Sequence, residues 1–215
     1  MFNDPFVRPA LFCLDFDGTL VDTRPLWEAA YIHVAAGRKH QLPADWWARI
    51  AGKSMDASAT VFGVHDPLEQ KTVSRDLVAT ALSFTASYPP LVLPGATELF
   101  VRARQAKVDC CIVTSTWTEL ATTLALAAGF PQVNVIGGDQ VTAGKPAPDI
   151  YLKAAKQHAV NPTACLAVED SPTGVASAYT AGLCVYALGD HVITDPLRQR
   201  SIRMLDAVRF SASVG

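Results

Sequence analysis

Read for apolar and polar positions, the chain opens on a short unbroken apolar run and then changes rhythm. Residues 10–14 are continuously apolar and lead straight into Asp15-Phe16-Asp17-Gly18. An unbroken run suits a parallel strand buried on both faces, and Gly18 ends it. After Asp22 the spacing turns helical: Trp27, Ala30 and Val34 share one face, with Pro25 near the helix start. Further helical signals cover 45–50, 55–62 and 67–86, with no convincing strand among them. Three prolines and a glycine in Tyr88-Pro89-Pro90-Leu91-Val92-Leu93-Pro94-Gly95 then break the pattern.

From Gly95 onward helix and strand alternate. Helices are expected at 96–105, 119–128, 149–158 and 173–181, and strands at 108–113, 133–136, 164–168 and 184–188. Gly129 and Gly182 fall where two of the helices should end. Such alternation predicts an α/β fold, a doubly wound, Rossmann-like parallel sheet covered on both faces. The helical stretch interrupts it directly after the first strand and reads as an inserted cap. The expected division is a catalytic core of residues 1–21 and 94–215 with a cap of 22–93, hinged near 22–23 and 93–95. Residues 195–205 carry a weak helical signal, and 211–215 read as a frayed tail.

Composition narrows the class. Half of the 215 residues are hydrophobic, 18% are charged and the net charge is −2, so the chain is globular. With no run of Lys or Arg, neither nucleic acid nor an anionic membrane is an expected partner. No basic region followed by an apolar core opens the chain, and no stretch approaches the ~18–20 apolar residues of a membrane span. Cys13, Cys110, Cys111, Cys165 and Cys184 all fall in expected strands and read as buried, reduced thiols. A cytoplasmic location follows as the default. Oligomeric state is not legible.

The chemistry gathers at strand ends. Asp15 and Asp17 follow the first strand, and Thr114-Ser115-Thr116 follow the second alternating one. Lys145 sits in Gly144-Lys145-Pro146-Ala147-Pro148-Asp149, and Glu169-Asp170-Ser171 close another strand. Each group alone has a plainer reading: an acidic turn, a surface lysine, a hydroxyl bonded to backbone, a helix N-cap. Together they would meet in one crevice, because open α/β sheets hold ligands at the carboxyl ends of their strands. Four carboxylates there repel one another unless a cation neutralises them. Oxygen ligands without His or Cys spacing favour Mg²⁺. A divalent ion plus Lys145 attracts a phosphate dianion. Asp15 can attack phosphorus and form an aspartyl phosphate, Asp17 can move the proton, and Ser115 and Lys145 can hold the equatorial oxygens.

These segments resemble the motifs of the haloacid dehalogenase superfamily, in its branch with a helical cap that includes β-phosphoglucomutases and sugar phosphatases. The resemblance spans about residues 11–189. It implies Asp15 as nucleophile, Asp17 as general acid/base, Ser115 and Lys145 as phosphate-holding groups, and a Mg²⁺ site. The implied metal ligands are Asp15, Asp17 through its backbone carbonyl, Glu169 and Asp170. Gly18, Thr116, Trp27 and Lys53 are the candidate substrate-binding residues. True dehalogenases lack the acid two positions after the nucleophile, so Asp17 argues against that chemistry. Trp27 falls on the mutases' hinge histidine and Met55 near their phosphate-gripping arginine, which Lys53 can partly replace. Gly52-Lys53-Ser54 resembles the cap loop that dips into the site, or else is an ordinary helix–helix turn. The expected activity is hydrolysis of a small phosphorylated metabolite, a sugar or polyol phosphate, with a phosphosugar mutase as the alternative. A receiver-type phosphorylation switch and a silent phosphate-binding relative are further readings; the Asp15/Asp17 pair and the cap speak against the first, the full catalytic set against the second.

Overall fold

The computed structural model describes residues 8–202, apart from 51, 192, 193, 196 and 197. The first apolar run forms strand β1 (Leu11–Leu14), wholly buried. Around it stands a six-stranded sheet in the order β5-β4-β1-β6-β7-β8. Its other members are β4 (Asp109–Val113), β5 (Asn134–Ile136), β6 (Cys165–Glu169), β7 (Cys184–Leu188) and β8 (Gln199–Ile202). All neighbours run parallel, with Leu14 in register with Ile112 on one side and Val168 on the other. The doubly wound, Rossmann-like α/β architecture read from the alternation is therefore present.

Helices α5 (Ala96–Gln105), α6 (Thr118–Ala127), α7 (Asp149–Gln157) and α8 (Pro172–Thr180) cover the sheet. Successive β1 residues feed two separate cores, because side chains alternate across a strand. Phe12 and Leu14 join Leu99, Leu120 and Leu124 on one face. Leu11 and Cys13 join Ile150, Tyr151 and Ala178 on the other. Cys13, Cys111, Cys165 and Cys184 are buried in strands as expected, whereas Cys110, near the start of β4, is only half-buried.

Between β1 and α5 the chain builds the cap from α1 (Arg24–Gly37), α2 (Trp46–Ile50), α3 (Met55–Ser58) and α4 (Pro67–Phe84). Leu26, Ala30 and Val34 of α1 and Val73, Leu77 and Ala81 of α4 are buried in one continuous apolar cluster with the core face below. Asp66 caps α4 by accepting from the amides of Leu68 and Glu69.

The stretch 22–93 is not free of strand. Val21–Asp22 (β2) pairs antiparallel with Leu91–Val92 (β3), so a two-residue ribbon ties the ends of the cap together. The weak helical signal at 195–205 also fails: residues Gln199–Ile202 form edge strand β8 against β7. Strand pairing overrides the weak local preference there, and residues 203–205 and the 211–215 tail lie outside the described residues. Among the described residues no helix is long and apolar enough to cross a membrane.

Candidate active site

The carboxyl ends of β1, β4 and β6 open into a cavity of about 440 Å³ whose opposite wall is the cap. Asp15 leaves β1 with its amide bonded to the carbonyl of Val168, 3.0 Å away on β6. The chain then doubles back: the amides of Leu20 and Val21 both return to the carbonyl of Phe16. Gly18 makes this possible at φ +88°, and a Cβ there would stand 2.3 Å from Asp170 Oδ2.

Beneath the cavity lies a buried charge network. Lys145 Nζ donates to Asp15 Oδ1 at 2.6 Å, to Glu169 Oε1 at 2.5 Å and to the Val113 carbonyl at 3.0 Å. Tyr151 donates to the same Glu169 oxygen at 2.5 Å, and Ser171 to its Oε2 at 3.2 Å. Burial would push the Lys145 ammonium down, but Asp15 and Glu169 together hold it above its ordinary range. Asp15 moves the other way. Burial, then repulsion from Glu169, raises it well above the usual carboxylate range despite Lys145. The same two causes push Asp170 up to about 6.

Asp17 is held differently. Its Oδ2 accepts from Thr114 at 3.0 Å and Thr116 at 2.9 Å, both from the loop after β4. Its Oδ1 accepts from Thr23 at 2.5 Å and from the Trp27 indole at 3.3 Å, both at the cap hinge. Four donors thus fix this carboxylate while Lys145 fixes Asp15, and the two acids stand in unlike surroundings.

One oxygen each from Asp15, Glu169 and Asp170 lie within 4.8 Å of one another, a spacing that can hold a metal ion. The donor set fits a hard divalent cation: three carboxylates face a single ammonium, and burial and repulsion from Glu169 raise two of them. The Asp17 side chain is not part of that cluster.

The expected groups line one cavity. Asp15, Asp17, Gly18, Ser115, Thr116, Lys145 and Asp170 come from the core side, Trp27 and Lys53 from the cap. Glu169 lies just beneath, fully buried. The plainer N-cap reading of Glu169-Asp170 does not apply, because Ser171 caps α8 by accepting from the Gly174 amide. The cap loop at Gly52-Lys53 dips toward the core: the Gly52 carbonyl accepts from the Thr173 hydroxyl. The Thr116 hydroxyl donates to Asp17.

Sequence reasoning passed over Thr19, which donates to Asp170 at 3.2 Å, and also Thr23, Thr114 and Tyr151. All four lie inside or beside the quoted motifs. The available signal was a hydroxyl close in sequence to an acid for Thr19, Thr23 and Tyr151, and a place at a strand end for Thr114.

A family model for haloacid dehalogenase-like hydrolases matches residues 9–182. Hexitol phosphatase A of Escherichia coli (strain K12) is 33% identical over 190 residues, covering 87% of this chain and 87% of that protein. Protein CbbY of Rhodobacter capsulatus is 32% identical over 188 residues, 80% of this chain and 81% of its own. The crystal structure of CbbY from Rhodobacter sphaeroides in complex with phosphate matches with a TM-score of 0.81 at 21% identity, over 94% of this chain and 97% of that one, a likeness of fold. With β1, its two acids, the inserted helical cap, the lysine before α7 and the acids at the end of β6 in place, the chain belongs to the haloacid dehalogenase-like hydrolase family, in its helical-cap branch.

Proposed function

We propose that this protein is a Mg²⁺-dependent phosphatase that hydrolyses a sugar or polyol phosphate through an aspartyl phosphate on Asp15. The observation that carries the reading is the division of labour between two carboxylates at one strand end. Asp15 is ion-paired to Lys145, and Asp17 is held by four neutral donors at the mouth of the cap. Acid and base roles separate when two titratable groups sit in environments this different.

Asp15 supplies the attacking oxygen, and Lys145 keeps it placed while balancing charge on the phosphoryl oxygens. Ser115 lines the same cavity, and its hydroxyl would donate to an equatorial oxygen. Asp17 gives a proton to the leaving alcohol and later takes one from the water that opens the aspartyl phosphate. Mg²⁺, held by Asp15, Asp170, Glu169 and the Asp17 carbonyl, would neutralise the carboxylates and the incoming phosphate dianion. The cap excludes bulk water while Asp15 carries the phosphoryl group.

The name of hexitol phosphatase A supports the substrate class. Trp27, standing where the resemblance places the mutases' hinge histidine, supports water as the acceptor. The test is inorganic phosphate release from a panel of primary phosphomonoesters, with Mg²⁺ and with chelator. Metal-dependent release is expected. Isomerisation primed by a bisphosphate, without net phosphate release, would overturn the phosphatase in favour of the mutase.

A further inference from the structure

On the cap side of the cavity most neutral donors are already engaged within the protein. The Thr23 hydroxyl and the Trp27 N–H are both engaged by Asp17. Ser58 donates to the Met55 carbonyl at 2.7 Å, so the 2.6 Å contact between Tyr31 and Ser58 must use the tyrosine's proton. Neither hydroxyl then has a proton for a ligand. Arg24 is paired with Glu28 at 2.7 Å and lies 5.0 Å over the Trp47 ring. Among the described cap residues that line the cavity this leaves the Trp47 indole N–H and charged groups: the Lys53 ammonium, the Asp22 carboxylate and the remaining N–H groups of Arg24. Beside them the wall offers ring and aliphatic surface from Trp27, Tyr31, Trp47, Ile50 and Met55.

Trp47 is half-buried and meets Trp46 edge-on at 5.3 Å, while Trp46 stacks on Tyr31 at 5.2 Å. Trp46 thus braces both rings. An open-chain polyol carries a hydroxyl on every carbon, and those that meet this ring and aliphatic surface would lose water without gaining partners. A ring can gather its C–H groups on one face, or present a π face, and lay that face on aromatic surface.

Resting on the phosphatase reading, we infer that the preferred leaving group is cyclic and turns a flat apolar face to the Trp47 wall, in preference to an open-chain polyol. Hydroxylated and aromatic rings share this chemistry. The test uses three esters phosphorylated on a primary carbon, so that leaving-group chemistry is matched: sorbitol 6-phosphate, methyl α-glucopyranoside 6-phosphate and benzyl phosphate. At least one ring ester should exceed sorbitol 6-phosphate in kcat/KM by about tenfold or more. Which ring wins separates a sugar from an aromatic group. Trp47→Ala should bring the ring-to-chain ratio to within about threefold of unity, while Trp47→Phe keeps most of it. The phenylalanine variant keeps the test alive if the alanine variant does not fold. Equal or better turnover of sorbitol 6-phosphate overturns the inference and leaves the phosphatase reading standing. A ratio unchanged in a folded Trp47→Ala also overturns it. Release of phosphate from no ester overturns the phosphatase reading itself.

Discussion

The two walls of the cavity are built on opposite plans. On the core side, Lys145 holds Asp15 and Glu169 at 2.6 and 2.5 Å and the Val113 carbonyl at 3.0 Å, so one ammonium ties three strand ends together. On the cap side, the Trp27 N–H and the Tyr31 and Ser58 hydroxyls are satisfied within the protein, and much of the wall is ring and aliphatic surface. A site that must stabilise a transferring phosphoryl group needs the first plan, because fixed charges need not reorganise during reaction. A surface that selects among alcohols can use the second, since shape and desolvation discriminate without touching the chemistry. The difference suggests that changes to the floor should alter rate for every ester, and changes to the wall should alter the ranking of esters.

The largest effect should come from Asp15→Asn. The amide cannot attack phosphorus, so turnover should fall about 10⁴-fold or more for all esters alike. Near-wild-type turnover would remove the covalent route, and with it the meaning of the floor. Asp17→Asn should cost about 10³-fold with alkyl esters, whose leaving oxygen needs a proton. With p-nitrophenyl phosphate, whose leaving group needs none, it should give one equivalent of nitrophenol rapidly and then stall. Steady turnover without that burst would deny Asp17 its second role.

Lys145→Met probes the floor as structure. Removing the cation leaves Asp15 and Glu169 buried beside each other without a countercharge, a loss of about 3–5 kcal/mol. Thermal unfolding should show a fall of about 10 °C for a chain of this size. A smaller fall in the Asp15→Asn background would show that the cost comes from the paired charges and not from lost packing. An unchanged melting temperature would mean that the network contributes nothing to stability.

Proton and metal should compete at the same floor. Burial and Glu169 raise Asp170 from an ordinary 3.8 to about 6. Between those values the folded, metal-free protein binds more protons than the unfolded chain. The contribution of Asp170 to stability therefore declines as pH rises through that window. Mg²⁺ prefers the ionised carboxylate, so its affinity should be about tenfold weaker at pH 5 than at pH 7. The upward shift of Asp15 acts in the same direction. Calorimetric titration at the two pH values checks this, and equal affinities would refute it.

The two walls also differ in how far the sequence reveals them. Lys145 was legible because two prolines fix the loop that carries it, and Asp15, Glu169 and Asp170 because an apolar run followed by a reactive residue fixes both strand and place. Most helices and strands were legible for the same reason, with boundaries shifted by only a residue or two. The β2–β3 ribbon was not, since two residues per strand carry no periodicity. Nor was β8, whose Gln199 is buried only because its Oε1 finds the Thr194 amide and hydroxyl. The threonines around Asp17 lay inside the motifs, but which acid each one serves is a matter of distance. The wall was least legible of all. An aromatic residue on a helix reads as core, and only the partners of Trp27, Tyr31 and Ser58 show that their polar ends are already engaged.

Tyr31→Phe gives the smallest effect and the sharpest test of that last point. The variant keeps the ring that faces the cavity and removes only the proton donated to Ser58. If that hydroxyl serves the wall alone, stability should fall by about 1 kcal/mol, the net worth of one buried hydrogen bond. The order of the esters by kcat/KM should stay as in the wild type, because the apolar surface is intact. A loss of kcat/KM above about tenfold, confined to one ester and unaccompanied by a stability change, would mean the hydroxyl reaches that substrate. The cap would then contribute hydrogen bonds as well as surface, and the contrast between the two walls would no longer hold.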